Sequence, residues 1–423
     1  MSQELMGCLE AWVPRGLLTN AADVLSASVT AEGLSPVRVY WQQGRLRSLE
    51  PIDADVSLPQ RLLLPRLVDP HVHLDKAFTW LQSPNLQGTY GGALAANLKE
   101  HQGRKLVELR QRVEKSLRLA LRYGLRAMRS HVDSLGPGAD CSWEVLLDLQ
   151  RQWHAWMELQ LVALVPIEHW STSAGHQLAS RVADVGGLLG GVLVPPFSGS
   201  EIRACLRQML QLAEQCGCGV DLHIDESQSH PAAGLKQLLQ VLDQMTVTVP
   251  ITCSHASSMG LLSPAAQRRL LDRLAHYRIN VVALPLTNSW LLAKQPRITP
   301  VKRPLAPIRQ MQLAGITVAV GGDNVQDAWF PAGNFDPLAL MAFSLPLAHL
   351  APWQRLGLAP FTTAAARLMN LAWDGTFQPG SPASLILLEA GSWAEALATP
   401  PRRRVLVDGN WLDEQDMATT SST

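Results

Sequence analysis

The sequence predicts a parallel (β/α)8 TIM barrel with a small β-sandwich domain formed from both termini. Three observations carry this expectation. Apolar, β-branched runs alternate with longer amphipathic stretches from about residue 61 to 350. The runs number eight and are apolar on both faces, as strands are in a parallel sheet covered by helices. An open doubly wound sheet alternates in the same way but usually stops at about five or six strands. Outside this region the pattern changes to short strands joined by tight turns.

The expected barrel strands are Leu62–Val68, Leu125–Ser130, Leu159–Val165, Leu188–Val194, Val220–Ile224, Val247–Ser254, Asn280–Leu286 and Ile316–Gly321. Amphipathic helices lie between them. After Ser200, the residues Ile202, Cys205, Leu206, Met209 and Ala213 fall on one helical face. Ser263-Pro264 opens another helix, with Ser263 as N-cap and Pro264 in the first turn. At the N-terminal end, Val37 to Leu46 reads as a hairpin around Gly44. At the other end, Ser384–Leu388 and Val405–Trp411 read as short strands, the second interrupted by the turn pair Asp408-Gly409. Neither end is long enough for a stable sheet alone, so the two are expected to combine. The expected division is residues 1–65 and 371–423 for the small domain and 66–370 for the barrel. The polar tail Met417–Thr423 is expected to be disordered.

Composition narrows the function. The chain has 423 residues, 47% of them hydrophobic and 17% charged, which suits a large packed interior. Its 36 basic and 36 acidic residues balance, which argues against nucleic acid or an anionic membrane as partner. No apolar run reaches transmembrane length, and Met1-Ser2-Gln3-Glu4-Leu5 does not start a signal peptide, so a cytoplasmic location is expected. Six cysteines do not make a disulfide framework in a chain of this length. Cys216-Gly217-Cys218 lacks a second pair at metal spacing and reads as a helix end and a strand start.

The chemistry-bearing residues sit at strand ends. His71 and His73 are spaced i, i+2, so on a strand both imidazoles point to one side and form half of a metal site. His131 and Asp133 end the second strand, and His223 with Glu226 ends the fifth. His255 ends the sixth and Asp323-Asn324 the eighth. Each alone fits a plainer reading as a hydrogen-bonded rim histidine, a cap or a turn residue. Together, the groups ending strands one, five, six and eight, where barrel enzymes keep reactive groups, read as a hydrolytic metal site, while His131 and Asp133 either line the pocket or cap the loop. Imidazoles and a carboxylate suit Zn2+ or Fe2+, and bound water then becomes a nucleophile near neutral pH. Glu226 leaves the strand three residues after His223 and can arch over the metal to carry a proton; His255 can polarise the bond under attack. Lys76 reads best as the partner of a carboxylate at the barrel mouth.

These stretches resemble the amidohydrolase superfamily, most closely its cytosine deaminase-like branch. The resemblance rests on Pro70-His71-Val72-His73-Leu74-Asp75-Lys76, Arg129 to Asp133, Asp221 to Glu226, Ser254-His255-Ala256, Pro285 to Asn288 and Gly322 to Pro331. It implies that His71, His73, His223 and Asp323 bind one divalent ion, Zn2+ or Fe2+. It also implies that Glu226 shuttles protons, that His255 assists at the substrate and the hydroxide, and that Asp323 accepts a proton from the water. The fourth strand lacks the lysine that two-metal members use. The chain departs from the branch pattern where substrate is read. Ile167 or Glu168 stands in place of a glutamine after strand three, and Asn324 in place of an aspartate. Branch relatives act on other nitrogen heterocycles, including amino-substituted triazines. The expected activity is therefore removal of an amino or alkylamino group from a pyrimidine, triazine or similar ring by metal-activated hydroxide. The alternatives are hydrolysis of a cyclic or linear amide at the same metal, and a non-catalytic binding barrel. Expected pocket residues are Asn324, Asn288, Trp329, Trp290, Glu168 and His131. Barrels of this type often form homo-oligomers, and no sequence feature sets a subunit number.

Overall fold

The computed structural model describes residues 6–19, 29–52, 59–292, 294–295, 297–398 and 401–413. The tail Met417–Thr423 lies outside them. Two sheets organise the chain. The first has eight strands: Leu67–Val72, Leu125–Asp133, Glu158–Pro166, Leu188–Leu193, Val220–Ile224, Ile251–His255, Asn280–Ala283 and Val318–Val320. They follow one another in chain order and run parallel, as right-handed strand–helix–strand units require. A bridge between Val72 and Asp323, with the Asp323 N–H donating to the His71 carbonyl at 2.9 Å, brings the eighth strand back to the first. Strand side chains are buried on both faces of the sheet, among them Leu161, Leu189, Leu222, Cys253 and Val282.

The second sheet has seven strands, in the order Asn410–Trp411, Arg403–Val407, Leu385–Leu388, Leu62–Pro65, Met6–Pro14, Leu34–Gln42 and Arg45–Pro51. Only Leu62–Pro65 and Met6–Pro14 pair in parallel; the other neighbours are antiparallel. The sheet curls until its two ends meet. Trp41 packs edge-on against Trp411 at 6.2 Å, and its indole N–H donates to the Gly409 carbonyl at 3.2 Å. The result is one mixed sheet drawn from both chain ends. Gln43-Gly44 and Asp408-Gly409 turn with positive φ at both positions, the backbone a tight hairpin needs.

Several expected elements change at their edges for local reasons. The run Leu62–Val68 divides at Arg66, whose N–H donates to the Ser384 carbonyl, while the Leu67 N–H donates to Gly124. Leu62–Pro65 belongs to the curled sheet and Leu67–Val72 opens the barrel, a division that apolar periodicity cannot register. The seventh strand stops at Ala283 because Pro285 starts a helix, Pro285–Leu291. The sixth starts only at Ile251, since Glu214 captures the N–H groups of Thr248 and Val249. Met6–Pro14 is an unanticipated strand. Ser263 caps its helix as expected, accepting the Ala266 N–H at 3.4 Å. Cys216 ends a helix and Cys218 is buried just before a strand. No helix among the described residues is long and apolar enough to cross a membrane.

The chain forms two compact units, Met1–Val68 with Leu117–Arg126 and Phe335–Thr423, and Asp69–Ser116 with Ala127–Asn334. Within the second, Arg104 ties the segment after the first strand to the barrel. Its guanidinium has no exposed side-chain surface and pairs with Asp75 at 3.0 Å and Glu100 at 2.6 Å. Asp75 in turn accepts the Asp133 N–H at 3.0 Å. Arg104→Ala leaves two buried carboxylates without this cation, and is expected to destabilise the fold by about 3–5 kcal/mol in denaturant unfolding. A loss under 1 kcal/mol would show that the network carries little stability.

Candidate active site

Strand ends converge because each strand delivers its last side chains to the same mouth of the barrel. His255 and Asp323 adopt left-handed backbone, with φ of 70° and 63°, where their strands stop. Such conformations cost roughly 1–3 kcal/mol each and persist where surrounding contacts impose them. Asp225, also left-handed at φ 57°, supplies some of those contacts. Its carboxylate accepts the Gly234 and Leu235 N–H groups at 2.8 and 2.9 Å, and its carbonyl accepts the Ser258 N–H. It thereby pins the loops that follow Glu226 and His255. Asp69 joins the first and eighth strands, accepting N–H groups from His71 and Gly322, and burial pushes its pKa up to about 7. A side chain at Gly321 would press on His71, its first carbon only 2.8 Å from His71 Cβ.

Four side chains face one point. His73 Nε2 lies 3.3 Å from His223 Nε2 and 3.3 Å from Asp323 Oδ1, and His71 Nε2 lies 3.6 Å from the same oxygen. Ligands about 2.0–2.2 Å from a tetrahedral ion lie roughly 3.3–3.6 Å apart, so the donor set fits a divalent cation. His71 Nε2 and both Asp323 oxygens are buried and lack a hydrogen bond, as ligand atoms require. Burial, reinforced by neighbouring imidazoles, holds His71 and His223 well below the usual histidine pKa and keeps them neutral. His73 Nδ1 sits 3.2 Å from the His131 carbonyl, which leaves its Nε2 as the donor atom.

The proton-handling groups lie beside this centre. Glu226 is buried, and burial, then the charge of Asp323, pushes its carboxyl well above the usual range. Burial acts on Asp323 in the same sense, but His73 and His255 outweigh it and hold that carboxyl below its ordinary value. Two carboxyl groups driven apart in this way divide into an acid and a base. His255 Nδ1 is 3.6 Å from Glu226 and accepts from the Asn288 amide at 3.0 Å. Its proton therefore sits on Nε2, and burial lowers its pKa to about 4.

A cavity of about 350 Å³ opens over these groups. Its wall includes His73, His223, Glu226, His255, Asp323, Asn324 and Trp329. Apolar flanks come from Leu164, Val165, Val192 and Val194. Tyr90 stands edge-on to Trp329 at 5.0 Å and gives an aromatic side for a planar ring. Asn324 donates its amide N–H to Asp327 at 2.8 Å and lines the cavity.

Four other predicted pocket residues lie off this wall. His131 is fully buried and stacks on His71 with 3.8 Å between ring centroids. Asn288 stands behind His255. Glu168 is exposed in a short 3-10 turn, because Ile167 turns inward and takes the buried position. Trp290 packs with Trp329 against Ala93, Leu291 and Leu292. Lys76 pairs with Asp133 at 2.7 Å, as its position suggested, and both line the cavity. Sequence reasoning missed the helix Tyr90–Gln102, which contributes Tyr90, Leu94, Asn97 and Leu98 to the wall. It also missed Asp221, although period-two alternation puts it on the His223 face.

Comparisons agree with this geometry. Residues 169–415 match the amidohydrolase family. A pterin deaminase from Rhizobium rhizogenes is 29% identical over 386 residues, 89% of this chain and 88% of that protein. An N-isopropylammelide isopropyl amidohydrolase from a Pseudomonas species is 22% identical, over 80% of this chain and 83% of the relative. The crystal structure of 5-methylcytosine deaminase from Klebsiella pneumoniae with 5-fluorocytosine superposes with a TM-score of 0.78 at 25% identity, covering 90% of this chain and 94% of that one. The matched span, the barrel and the convergent histidines lead to one statement: the chain belongs to the amidohydrolase family and is a hydrolase of carbon–nitrogen bonds.

Proposed function

We propose that this protein is a metal-dependent hydrolytic deaminase that removes an amino or alkylamino group from a nitrogen heterocycle. The observation that carries the reading is a single cavity in which a fitted ligand set, an acid with raised pKa and a neutral imidazole donor meet between apolar and aromatic walls. His71, His73, His223 and Asp323 would hold one ion, Zn2+ or Fe2+. Such an ion supplies a nucleophile from water near neutral pH and stabilises developing negative charge.

The chain's own residues divide the remaining work. Trp329 and Tyr90 bound the plane of the ring. Asp323, with its lowered pKa, takes a proton from the attacking water. Glu226 protonates the ring nitrogen beside the carbon under attack, takes up the proton left on Asp323 and passes it to the departing amine; the proton of the added hydroxyl then restores Glu226. His255 donates from Nε2 to the oxygen added to that carbon. The carbonyl of Asn324 accepts from the substrate edge.

Relatives named for pterin, 5-methylcytosine and N-isopropylammelide favour a ring of the pterin, pyrimidine or triazine class. The cavity wall after the third strand, Leu164, Val165 and Pro166, lacks the amide that reads cytosine in its deaminases, which weighs against cytosine. The test is ammonia or amine release by the metal-loaded protein from cytosine, 5-methylcytosine, isocytosine, pterin, guanine and N-isopropylammelide. Release from at least one ring supports the reading. A ring-opened product without ammonia would move the assignment to amide hydrolysis.

A further inference from the structure

We infer that Ser254 and Asp221, braced by Arg129, form a positioning relay that fixes the His71 imidazole for metal binding through Nε2. The inference rests on the metal reading above and names residues that act one step behind the ligand. Ser254 and Asp221 come from neighbouring barrel strands, where Ser254 pairs with His223 and Thr252 with Asp221. Both point to the face from which His71 approaches.

The hydrogen bonds leave one arrangement. The Asp221 carboxylate can only accept, so the Ser254 hydroxyl donates its one proton to Asp221 Oδ1 at 2.7 Å. The Ser254 oxygen is then an acceptor for His71 Nδ1, 2.9 Å away. His71 must carry its proton on Nδ1, and the lone pair on Nε2 faces His73, His223 and Asp323. A ring without such a partner divides between two tautomers and rotates more freely. His131, stacked on the opposite face, restricts the remaining tilt. Every member is buried: Ser254, Asp221 and His71 at 0% exposure and Arg129 at 3%.

Arg129 has a second effect. Its guanidinium donates to Asp221 Oδ2 at 2.9 Å and to Gln160 Oε1 at 3.0 and 3.2 Å. Asp221, His71 and His131 are close enough together to hold a cation themselves. The fixed positive charge of Arg129 against Asp221 opposes a cation there and keeps the carboxylate in the relay. His71 is thereby directed to the Asp323 side.

The test measures Zn2+ affinity of the full chain by competition with a chromogenic chelator, after the protein has been stripped and its fold checked by circular dichroism. Ser254→Ala is expected to weaken Zn2+ binding by roughly 10–100-fold, the usual effect of removing an outer-shell partner. Ser254→Thr, which keeps the hydroxyl, should restore most of the affinity; a role in packing alone predicts the opposite ranking, since alanine fits the space and threonine crowds it. Asp221→Asn is nearly isosteric and should weaken binding in the same direction by a smaller factor; it decides the matter if Ser254→Ala does not fold. Folded Ser254→Ala and Asp221→Asn proteins that both bind Zn2+ like the parent would overturn the relay. A parent that binds no divalent ion would overturn the metal reading itself, and the relay with it.

Discussion

Glu226→Gln is expected to lower the rate of amine release by about 10²–10⁴-fold, the usual contribution of a positioned acid–base group. Metal content should remain that of the parent, because Glu226 is not among the convergent ligand atoms. Glutamine keeps the size and a hydrogen-bonding tip but cannot release a proton to the ring or the departing amine. Glu226 is the cavity carboxyl whose pKa is raised, and Asp323 is held in the opposite sense. Asp323 is therefore ionised at rest and does not hold the proton that the ring nitrogen needs first. The check is steady-state kinetics alongside metal analysis of the same preparation. A variant within tenfold of the parent would remove Glu226 from the proton path.

Metal removal should be the other large effect. Stripping the protein with a chelator should abolish turnover, and Zn2+ or Fe2+ should restore it. Stability should respond as well. His71 Nε2 and both Asp323 oxygens are buried without hydrogen bonds, which is costly unless an ion takes them up. An ion binding only the folded chain at a thousand times its Kd adds about 4 kcal/mol, or roughly 5 °C in Tm for a chain of this size. His223→Ala should lose both the turnover and the metal-induced shift, since it removes a ligand atom that sits 3.3 Å from His73. A stripped protein that keeps full activity and an unchanged Tm would be incompatible with a metal centre.

The site residues differed in how legible they were. His71 with His73, and His223 with Glu226, are local patterns on apolar strands, so alternation and strand-end position announce them. Glu168 and Ile167 show the limit of such reading. Adjacent residues after a strand exchange inside and outside with a single backbone turn, and here a 3-10 turn buried the isoleucine. Trp290 and Trp329 both lie near the site in sequence, yet the cavity takes only Trp329, because the helix Pro285–Leu291 carries Trp290 into packing beside Ala93. The helix Tyr90–Gln102 carries Leu94 and Leu98 at the mouth and lacks a strong apolar face, so periodicity gave no sign that it would wall a pocket.

By itself, the sequence determined the fold class, the order of the barrel strands and the residue types delivered to their ends. These follow from hydrophobic period, turn chemistry and the parity of side chains along a strand, all short-range properties. Tertiary structure decided which of the delivered side chains share one point. It set His131 behind His71 and not on the cavity wall, turned His255 and Asp323 through left-handed backbone, and joined Arg129, Asp221 and Ser254 behind His71, 150 residues or more from two of them. The physical reason is that these contacts depend on barrel closure and on the stagger between strands distant in sequence. That stagger is a property of the whole sheet, and no local pattern encodes it.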